Sequence, residues 1–374
     1  MLAVAALSAR AIVEAAALDG LRTVALDLFG DVDTRRHAAA WQRIGDVESM
    51  CITDELLLAA LASLARRGDV RGWVAGSGFD GRADLLAEGA RRLPLIGTAP
   101  DDVRRVRDPR EFFDLLRSRG IGHPATAFEP PLAPAGWLSK EAGGCGGWQV
   151  RRASAGDEPA PGRYWQRERP GLPMSATLVG NGRDAVLLGI NRQLTQAIGE
   201  RPHVFRGVVG PLPVSERVQR ELTAIARLLA GVFRLRGLAS LDVLIDGDTV
   251  EVLELNPRPP ASLALYPRVG DGGPLRAHLR ACELAELPSA PAPGTIVRGS
   301  EIVFAARAMQ VDAACAARIA QCDGARDLPS QGTQVSAGDP LCSLVGEGCD
   351  EADITRQLAQ RRAALQAILE TRHE

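Results

Sequence analysis

The stretch from residue 237 to residue 258 constrains the fold of this chain more than any other segment. Two runs rich in Leu, Val and Ile, residues 239–245 and 249–255, are separated by the turn sequence Asp-Gly-Asp. Apolar runs of this length on either side of an Asp-Gly turn are typical of two antiparallel strands joined by a tight turn. We therefore predict a β-hairpin here, and we call residues 237–258 the metal hairpin for the reason that follows.

Three of the oxygen-bearing side chains in this hairpin form a candidate set of metal ligands. Glu254 and Asn256 are two residues apart, so they share one face of their strand, and Asp242 lies on the facing strand. Carboxylate and amide oxygens suit Mg²⁺ or Mn²⁺, ions that keep part of their coordination shell for substrate phosphates. Arg258 follows with a forked donor that fits phosphate or carboxylate. The alternative is an edge hairpin whose carboxylates face water.

Lys140 is the only lysine among 44 basic residues; all the others are arginine. We interpret Lys140 as a residue at a position that needs a compact ammonium group. The alternative is a surface lysine that has been retained by chance. The sequence around it predicts a strand, a glycine-rich tip and a second strand that begins near Trp148. Glycines free backbone N–H groups to approach phosphates. The tip, residues 142–147, is called the glycine loop below; a plain surface hairpin is the alternative for it. Its glycines are Gly143, Gly144, Gly146 and Gly147.

The first 100 residues alternate between apolar strand patterns and helical patterns, which predicts a small parallel α/β domain. No G-x-G-x-x-G motif is present, so we infer no dinucleotide. The predicted strands are 2–7, 23–28, 73–78 and 93–97, and the predicted helices are 8–19, 53–67 and 82–92.

Length, net charge and cysteine content limit the number of domains, the kinds of partner and the location that we expect. A length of 374 residues predicts two or three domains, and a net charge of −2 gives no reason to expect nucleic acid or an anionic membrane as a partner. No apolar run is long enough to span a bilayer. Seven cysteines without a pairing rhythm predict reduced thiols and a cytoplasmic location. Residues 285–295, rich in Pro, Ala and Ser, predict a linker before a last, β-rich part that ends in a helix at about 351–371.

The order of these features resembles the ATP-grasp superfamily. The resemblance implies an α/β fold of the α+β ATP-grasp type with three parts. They are an N-terminal Rossmann-like domain (residues 1–100), a two-lobed nucleotide-binding domain (101–284, with its lid at about 134–175) and a small C-terminal subdomain (285–374). It also implies that ATP binds through Lys140 and the glycine loop, with the ion on Asp242, Glu254 and Asn256. Lys140 and Arg258 would stabilise charge on the transferring phosphoryl group.

Two further segments receive roles from this resemblance. Residues 163–171 resemble the hinge that holds adenosine, so Gln166 and the backbone of Arg167 are assigned to the adenine edge and Glu168 to the ribose; an ordinary loop is the alternative. A predicted strand at 185–190 ends at Asn-Arg-Gln, where Arg192 or Gln193 could face the transferred phosphate or an acceptor carboxylate. We assign Arg192 as the catalytic one.

One position departs from the family. Asp108 followed by Pro109 predicts the start of a helix, because Asp is a good N-cap and proline fits the first helical position. In the ATP-grasp family a lysine commonly follows this Asp and reaches the nucleotide phosphates. Arg107 or Arg110 is the candidate to replace it.

The resemblance implies an ADP-forming ligase: ATP phosphorylates a small-molecule carboxylate, and an amine attacks the acyl phosphate. Residues 76–80, the helix start at Asp108 and the run 256–261 resemble a group of ligases linked to methanofuran and methanopterin biosynthesis, one of which joins tyramine to glutamate. A homodimer is a further expectation from the family. The alternatives are a bicarbonate-activating ATP-grasp carboxylase and an ATP-binding scaffold or sensor without turnover.

Overall fold

The N-terminal part is a parallel sheet with helices on both faces. The computed structural model, which describes residues 1–291, 294 and 296–370, places four parallel strands in the order β3-β2-β1-β6. Alternate side chains of β1 pack against α1 on one face and against α3 and α4 on the other, which explains its uninterrupted apolar sequence. The elements are β1 (Leu2–Ala5), α1 (Arg10–Leu18), β2 (Thr23–Asp27), α2 (Val32–His37), β3 (Ala40–Arg43), β4 (Gly45–Asp46), β5 (Cys51–Ile52), α3 (Asp54–Arg67), β6 (Trp73–Ala75) and α4 (Ala83–Arg92).

The parallel α/β domain and its three predicted helices are confirmed. The predicted strand at 93–97 is reduced to a single parallel bridge between Trp73 and Leu95. Pro94 explains the difference, because a proline has no N–H to donate to a sheet ladder.

The lid is a small separate sheet with the strand order β7-β10-β8-β9. Two short helices lead into it, and the second begins as predicted: Asp108 accepts hydrogen bonds from the N–H groups of Arg110 (2.8 Å) and Glu111 (3.1 Å). The elements are α5 (Pro100–Arg107), α6 (Pro109–Ser118), β7 (Thr126–Ala127), β8 (Trp137–Glu141), β9 (Arg151–Arg152) and β10 (Arg163–Arg167).

An eight-stranded antiparallel sheet forms the centre, in the order β15-β14-β11-β12-β13-β16-β20-β18. Its first part comprises β11 (Leu172–Asn181), β12 (Ala185–Ile198), β13 (Arg201–Gly210), α7 (Glu216–Val232), β14 (Arg236–Asp246), β15 (Thr249–Asn256), the 3₁₀ turn Ala261–Leu265 and α8 (Pro274–Glu283). The second part comprises β16 (Val297–Phe304), β17 (Met309–Gln310), α9 (Ala313–Gln321), β18 (Ala325–Arg326), β19 (Gln334–Val335), β20 (Pro340–Gly348) and α10 (Glu351–Glu370).

The last part of the chain shares this sheet. Strand β16 pairs with β13 and β20 pairs with β16, so no break in hydrogen bonding separates residues 297–348 from the strands before them. Helix α9 was absent from our sequence prediction, whereas the closing helix is confirmed up to Glu370. Residues 292, 293 and 295 of the predicted linker and residue 371 of the predicted helix lie outside the described residues. The division into three domains remains a prediction.

The two faces of the central sheet differ. Met174, Leu241 and Val243 face a core formed with α6 and α7, while α10 covers the same face further along the sheet. The opposite face carries Leu238 and Val208, which pack with α1 and α8, and it carries the polar residues described next. In the part of the chain that the structure describes, no helix combines the length and the apolar character needed to cross a membrane.

We expect Asp108→Ala to lower the free energy of unfolding by about 1 kcal/mol, because α6 loses a cap that satisfies two N–H groups. The matched control is Asp114→Ala in the same helix, where an exposed ion pair to Arg117 is lost, at a cost below about 0.5 kcal/mol. Urea unfolding followed by circular dichroism measures both. Equal losses for the two variants would contradict the capping role.

Candidate active site

The metal hairpin brings its three predicted metal ligands together. Asp242 and Glu254 are direct cross-strand partners, and the register shifts immediately after them. The side-chain amide of Asn256 donates to Asp242 Oδ2 at 3.2 Å and to Glu254 Oε1 at 3.4 Å. Both carboxylates are thus engaged within the protein, which favours a built site over an edge hairpin that merely faces water.

The two carboxyl groups affect each other's protonation. Burial and the charge of Glu254 raise the pKa of Asp242. Burial acts on Glu254 in the same direction, but the positive charges of Arg107 and Lys140 outweigh it and lower the pKa of Glu254. The pair therefore shares its negative charge unequally in the absence of a cation.

A divalent cation fits this donor set. Asp242 Oδ1 is buried and has no hydrogen-bond partner among the described residues, so a hard oxygen ligand is left unused. Glu254 and the amide oxygen of Asn256 would be the other protein ligands. Two carboxylates and one amide suit Mg²⁺ or Mn²⁺ and leave coordination positions for substrate oxygens.

Lys140 lies beside this pair. It is on β8, and its Nζ donates to Gln166 Oε1 on β10 at 3.0 Å, while its charge reaches Glu254. The Nε2 of Gln166 is buried and has no partner among the residues described. Gln166 therefore presents an unused donor next to the chain's only lysine, as a contact to a nucleotide base requires.

Arg167 and Glu168, the neighbouring residues of the predicted hinge, already have hydrogen-bond partners within the protein. The backbone N–H of Arg167 donates to the carbonyl of Ala125 at 2.8 Å, so it is not free to pair with an adenine edge. The carboxylate of Glu168 accepts from Arg152 (2.9 Å) and interacts with His203 Nε2 (3.1 Å). This hydrogen bond occupies the N–H of Arg167, while the assignment of its backbone to the adenine edge and of Glu168 to the ribose stays a prediction.

The glycine loop lies between the N-terminal domain and β13. A Cβ on Gly81 would stand 2.5 Å from Gly143 Cα, so the two backbones touch. Gly147 has φ +75°, and a Cβ there would stand 2.0 Å from the carbonyl oxygen of His203. Gly144 and Gly146 lie in the same turn, and the carbonyl of Gly146 accepts from the N–H of Phe205 at 2.9 Å. Glycine is needed in this loop because neighbouring backbone atoms approach too closely for a side chain, and not only because glycine is flexible.

Arg258 connects the metal hairpin to the N-terminal domain. Its Nε is 3.1 Å from both carboxylate oxygens of Asp80, whose side chain is 2% exposed, and its Nη2 is 3.4 Å from Cys145 Sγ. The loop 76–80 therefore does reach the site, through Asp80. Burial raises the pKa of the Cys145 thiol to about 12, so this cysteine is not a thiolate nucleophile at neutral pH.

Arg192 is on the wrong face of its strand for the role that we assigned to it. Strand β12 runs on to Ile198 and does not end at residue 190, so its side chains keep alternating. Arg192 Nη1 donates to Glu351 of α10 at 2.6 Å, on the far face of the sheet. Gln193 is on the near face and its side chain interacts with Asp242.

A buried polar network that our sequence analysis missed lies on the same sheet face. Asn191 Nδ2 donates to Ser175 O (3.2 Å) and to Thr177 Oγ1 (3.0 Å), and Tyr266 OH donates to Asn191 Oδ1 at 2.6 Å. Thr177 and Ser262 share a hydrogen bond of 2.6 Å. The network ties the loop after the metal hairpin to the central sheet. The alternation of Ser175 and Thr177 in an apolar strand was the available signal.

Of the two arginines near Pro109, only one points into the site. Arg107 Nη1 is 3.3 Å from both Glu254 Oε2 and Asn256 Oδ1. Arg110 instead stacks on Phe128, with its guanidinium 4.2 Å from the ring centroid.

Comparison with known proteins agrees with this geometry. Residues 106–262 match the family model described as "ATP-grasp domain". The chain has the ATP-grasp fold. It is similar over 99% of its length to 93% of the biotin carboxylase domain of a single-chain bacterial carboxylase, with a TM-score of 0.71 and 20% identity.

Two further structures show the range of enzymes with this fold. An L-amino acid ligase from Bacillus licheniformis matches with a TM-score of 0.68 and 13% identity, covering 98% of this chain and 96% of the ligase. The biotin carboxylase domain dimer of Hydrogenobacter thermophilus 2-oxoglutarate carboxylase, in complex with MgADP, ADP and bicarbonate, matches with a TM-score of 0.71 and 12% identity, covering 95% and 88%. At such identities the likeness shows the fold, and the reaction must be argued from the site.

We expect Asp80→Asn to lower the free energy of unfolding by about 3 kcal/mol, because it leaves Arg258, whose side chain is only 15% exposed, without its counter-charge. The control is Asp84→Asn, which weakens an exposed pair with Arg104 and costs less than about 1 kcal/mol. Thermal unfolding of the two variants compares them. If Asp80→Asn is as stable as the control, Asp80 does not hold Arg258.

Proposed function

We propose that this chain is an ATP-dependent, ADP-forming ligase that activates a small-molecule carboxylate as an acyl phosphate and joins it to an amine. The observation that supports it most is the facing pair Asp242 and Glu254, set among the cationic groups of Lys140, Arg107 and Arg258 and next to the glycine loop. A carboxylate pair for a metal beside fixed cations is the arrangement that phosphoryl transfer needs.

Each group has a role in this chemistry. Lys140 would place its ammonium on the triphosphate, and Arg258, oriented by Asp80, would stabilise negative charge on the phosphoryl group and the acceptor carboxylate. Gln166 Nε2 would donate to the adenine. Glu168 stays our candidate for the ribose, while Arg192 is left out because it pairs with Glu351. A bound Mg²⁺ or Mn²⁺ would neutralise phosphate charge.

The same residues limit the mechanism. Cys145 is the thiol in contact with Arg258, and because burial raises the pKa of this thiol to about 12, we assign it no role as a nucleophile. The glycine loop, packed against Gly81 and β13, would exclude water from the acyl phosphate. An amine, and not water, would then be the nucleophile that reaches the carbonyl carbon.

The narrower assignment, a ligase of methanofuran or methanopterin biosynthesis, rests only on short stretches such as residues 76–80. The second candidate, bicarbonate activation, is favoured by the similar biotin carboxylase domains, one of which was solved with bicarbonate. A homodimer is part of the proposal, since that domain is described as a dimer. Both activities begin with the same phosphorylation of a carboxylate oxygen.

The first experiment measures ADP release from Mg–ATP with pooled amino acids, aromatic amines and bicarbonate. We expect turnover that needs a carboxylate and an amine together, and a loss of about 100-fold or more in Lys140→Ala. The matched control is Arg163→Ala on the next lid strand, where a long pair to Glu141 and an exposed hydrogen bond to the carbonyl of Glu158 are lost and activity should persist.

The other outcomes are equally distinct. Bicarbonate-dependent ADP release without an organic carboxylate identifies a carboxylase. Tight Mg–ATP binding without turnover across the panel favours the scaffold or sensor. Absence of Mg–ATP binding contradicts the proposal and both alternatives.

We expect Gly147→Ala to weaken Mg–ATP binding by about tenfold, because the added Cβ and the positive φ displace the glycine loop. Gly156→Ala is the matched control in the same lid, where a Cβ meets nothing within 4 Å. Isothermal titration calorimetry measures the two dissociation constants. Equal values would show that the loop does not contact the nucleotide.

A further inference from the structure

Arg107 is the residue that joins the glycine loop to the metal hairpin. Its side chain is 7% exposed, and its donors divide into two sets. Nε (3.1 Å) and Nη2 (2.5 Å) donate to the carbonyl of Ala142, and Nη2 also donates to Gly144 O at 3.2 Å. Nη1 faces Glu254 Oε2 and Asn256 Oδ1, each at 3.3 Å.

The hairpin atoms that Arg107 contacts are two of the three proposed metal ligands. Its guanidinium therefore supplies positive charge to Glu254 where the divalent cation would supply it. A cation arriving at the same oxygens repels the guanidinium and replaces its contacts, while the incoming phosphates attract it. The contacts of Arg107 with the hairpin therefore compete with the binding of a metal at these oxygens.

We propose that Arg107 fastens the glycine loop to the metal hairpin in the nucleotide-free protein and moves onto the phosphates when Mg–nucleotide binds. This inference rests on the proposed function for the identity of the ligand. It assigns to Arg107 the phosphate contact that Pro109 cannot make. It also implies that the position of the glycine loop depends on whether the metal site is occupied.

Arginine is required for the bridge between the glycine loop and the metal hairpin. Its planar fork reaches two loop carbonyls and two hairpin oxygens at once, whereas a lysine offers a single ammonium. Arg107→Lys should therefore keep an attraction for phosphate but lose the bridge. Arg107→Gln should lose both the bridge and the attraction for phosphate. If Arg107 only supported the structure, the two variants would not differ in their binding of Mg–ATP.

Limited trypsin digestion tests the bridge without any nucleotide. Lys140, Arg151 and Arg152 are cleavage positions on either side of the glycine loop, and mass spectrometry identifies the cuts. We expect Arg107→Gln and Arg107→Lys to be cut about tenfold faster than wild type, because charge-assisted hydrogen bonds to the loop are lost. Arg110→Gln is the matched control and should be cut at the wild-type rate. Equal rates for all variants would overturn the bridge.

Calorimetric titration with Mg–ATP tests the second part. We expect binding about tenfold weaker in Arg107→Gln and within about threefold of wild type in Arg107→Lys. Wild-type affinity in Arg107→Gln would overturn the phosphate role. If wild type itself binds no nucleotide, the proposed function fails, but the trypsin comparison still decides the bridge. Circular dichroism confirms folding; should Arg107→Gln unfold, Arg107→Lys still gives the trypsin comparison.

Discussion

The cross-strand pairing of Asp242 with Glu254 is the constraint on which the rest of the site depends. Two partly buried carboxylates that face each other repel unless cations or a proton compensate them. The compensation comes from segments far apart in the chain: Arg107 from the end of α5, and Lys140 from the lid. The lid and the last turn of α5 are thus drawn to the metal hairpin by electrostatics, in addition to the apolar cores that hold each sheet.

The second connection is the pair formed by Arg258 and the buried carboxylate of Asp80. It fixes the orientation of a guanidinium that would otherwise rotate freely, and it sets the loop 76–80 against the hairpin. Behind it, Asn191 joins two strands to Tyr266, so the loop that follows the hairpin is held by hydrogen bonds as well as by packing. A reaction centre built from loops gains rigidity from such contacts.

Local patterns carried most of what the sequence could predict. The hairpin with Asp242 and Glu254, the cap at Asp108 and the parallel N-terminal sheet each depend on residues close together in the chain, and each is found in the structure. The predictions that failed depended on residues far apart in the chain or on the exact length of a strand. Because β12 is longer than predicted, its alternation turned Arg192 away and Gln193 inward, since a one-residue difference exchanges the two faces.

Charge balance indicates how the proposed metal and the proposed nucleotide would depend on each other at this site. Asp80, Asp242 and Glu254 stand against Arg107, Arg258 and Lys140, so positive and negative groups are equal in number before any proton on Asp242 is counted. A triphosphate alone would bring a large excess of negative charge next to Glu254. Under our proposal, a divalent cation on the hairpin would offset part of that charge and free Arg107 for the phosphates. We therefore expect entry of both together to be favoured over entry of either alone.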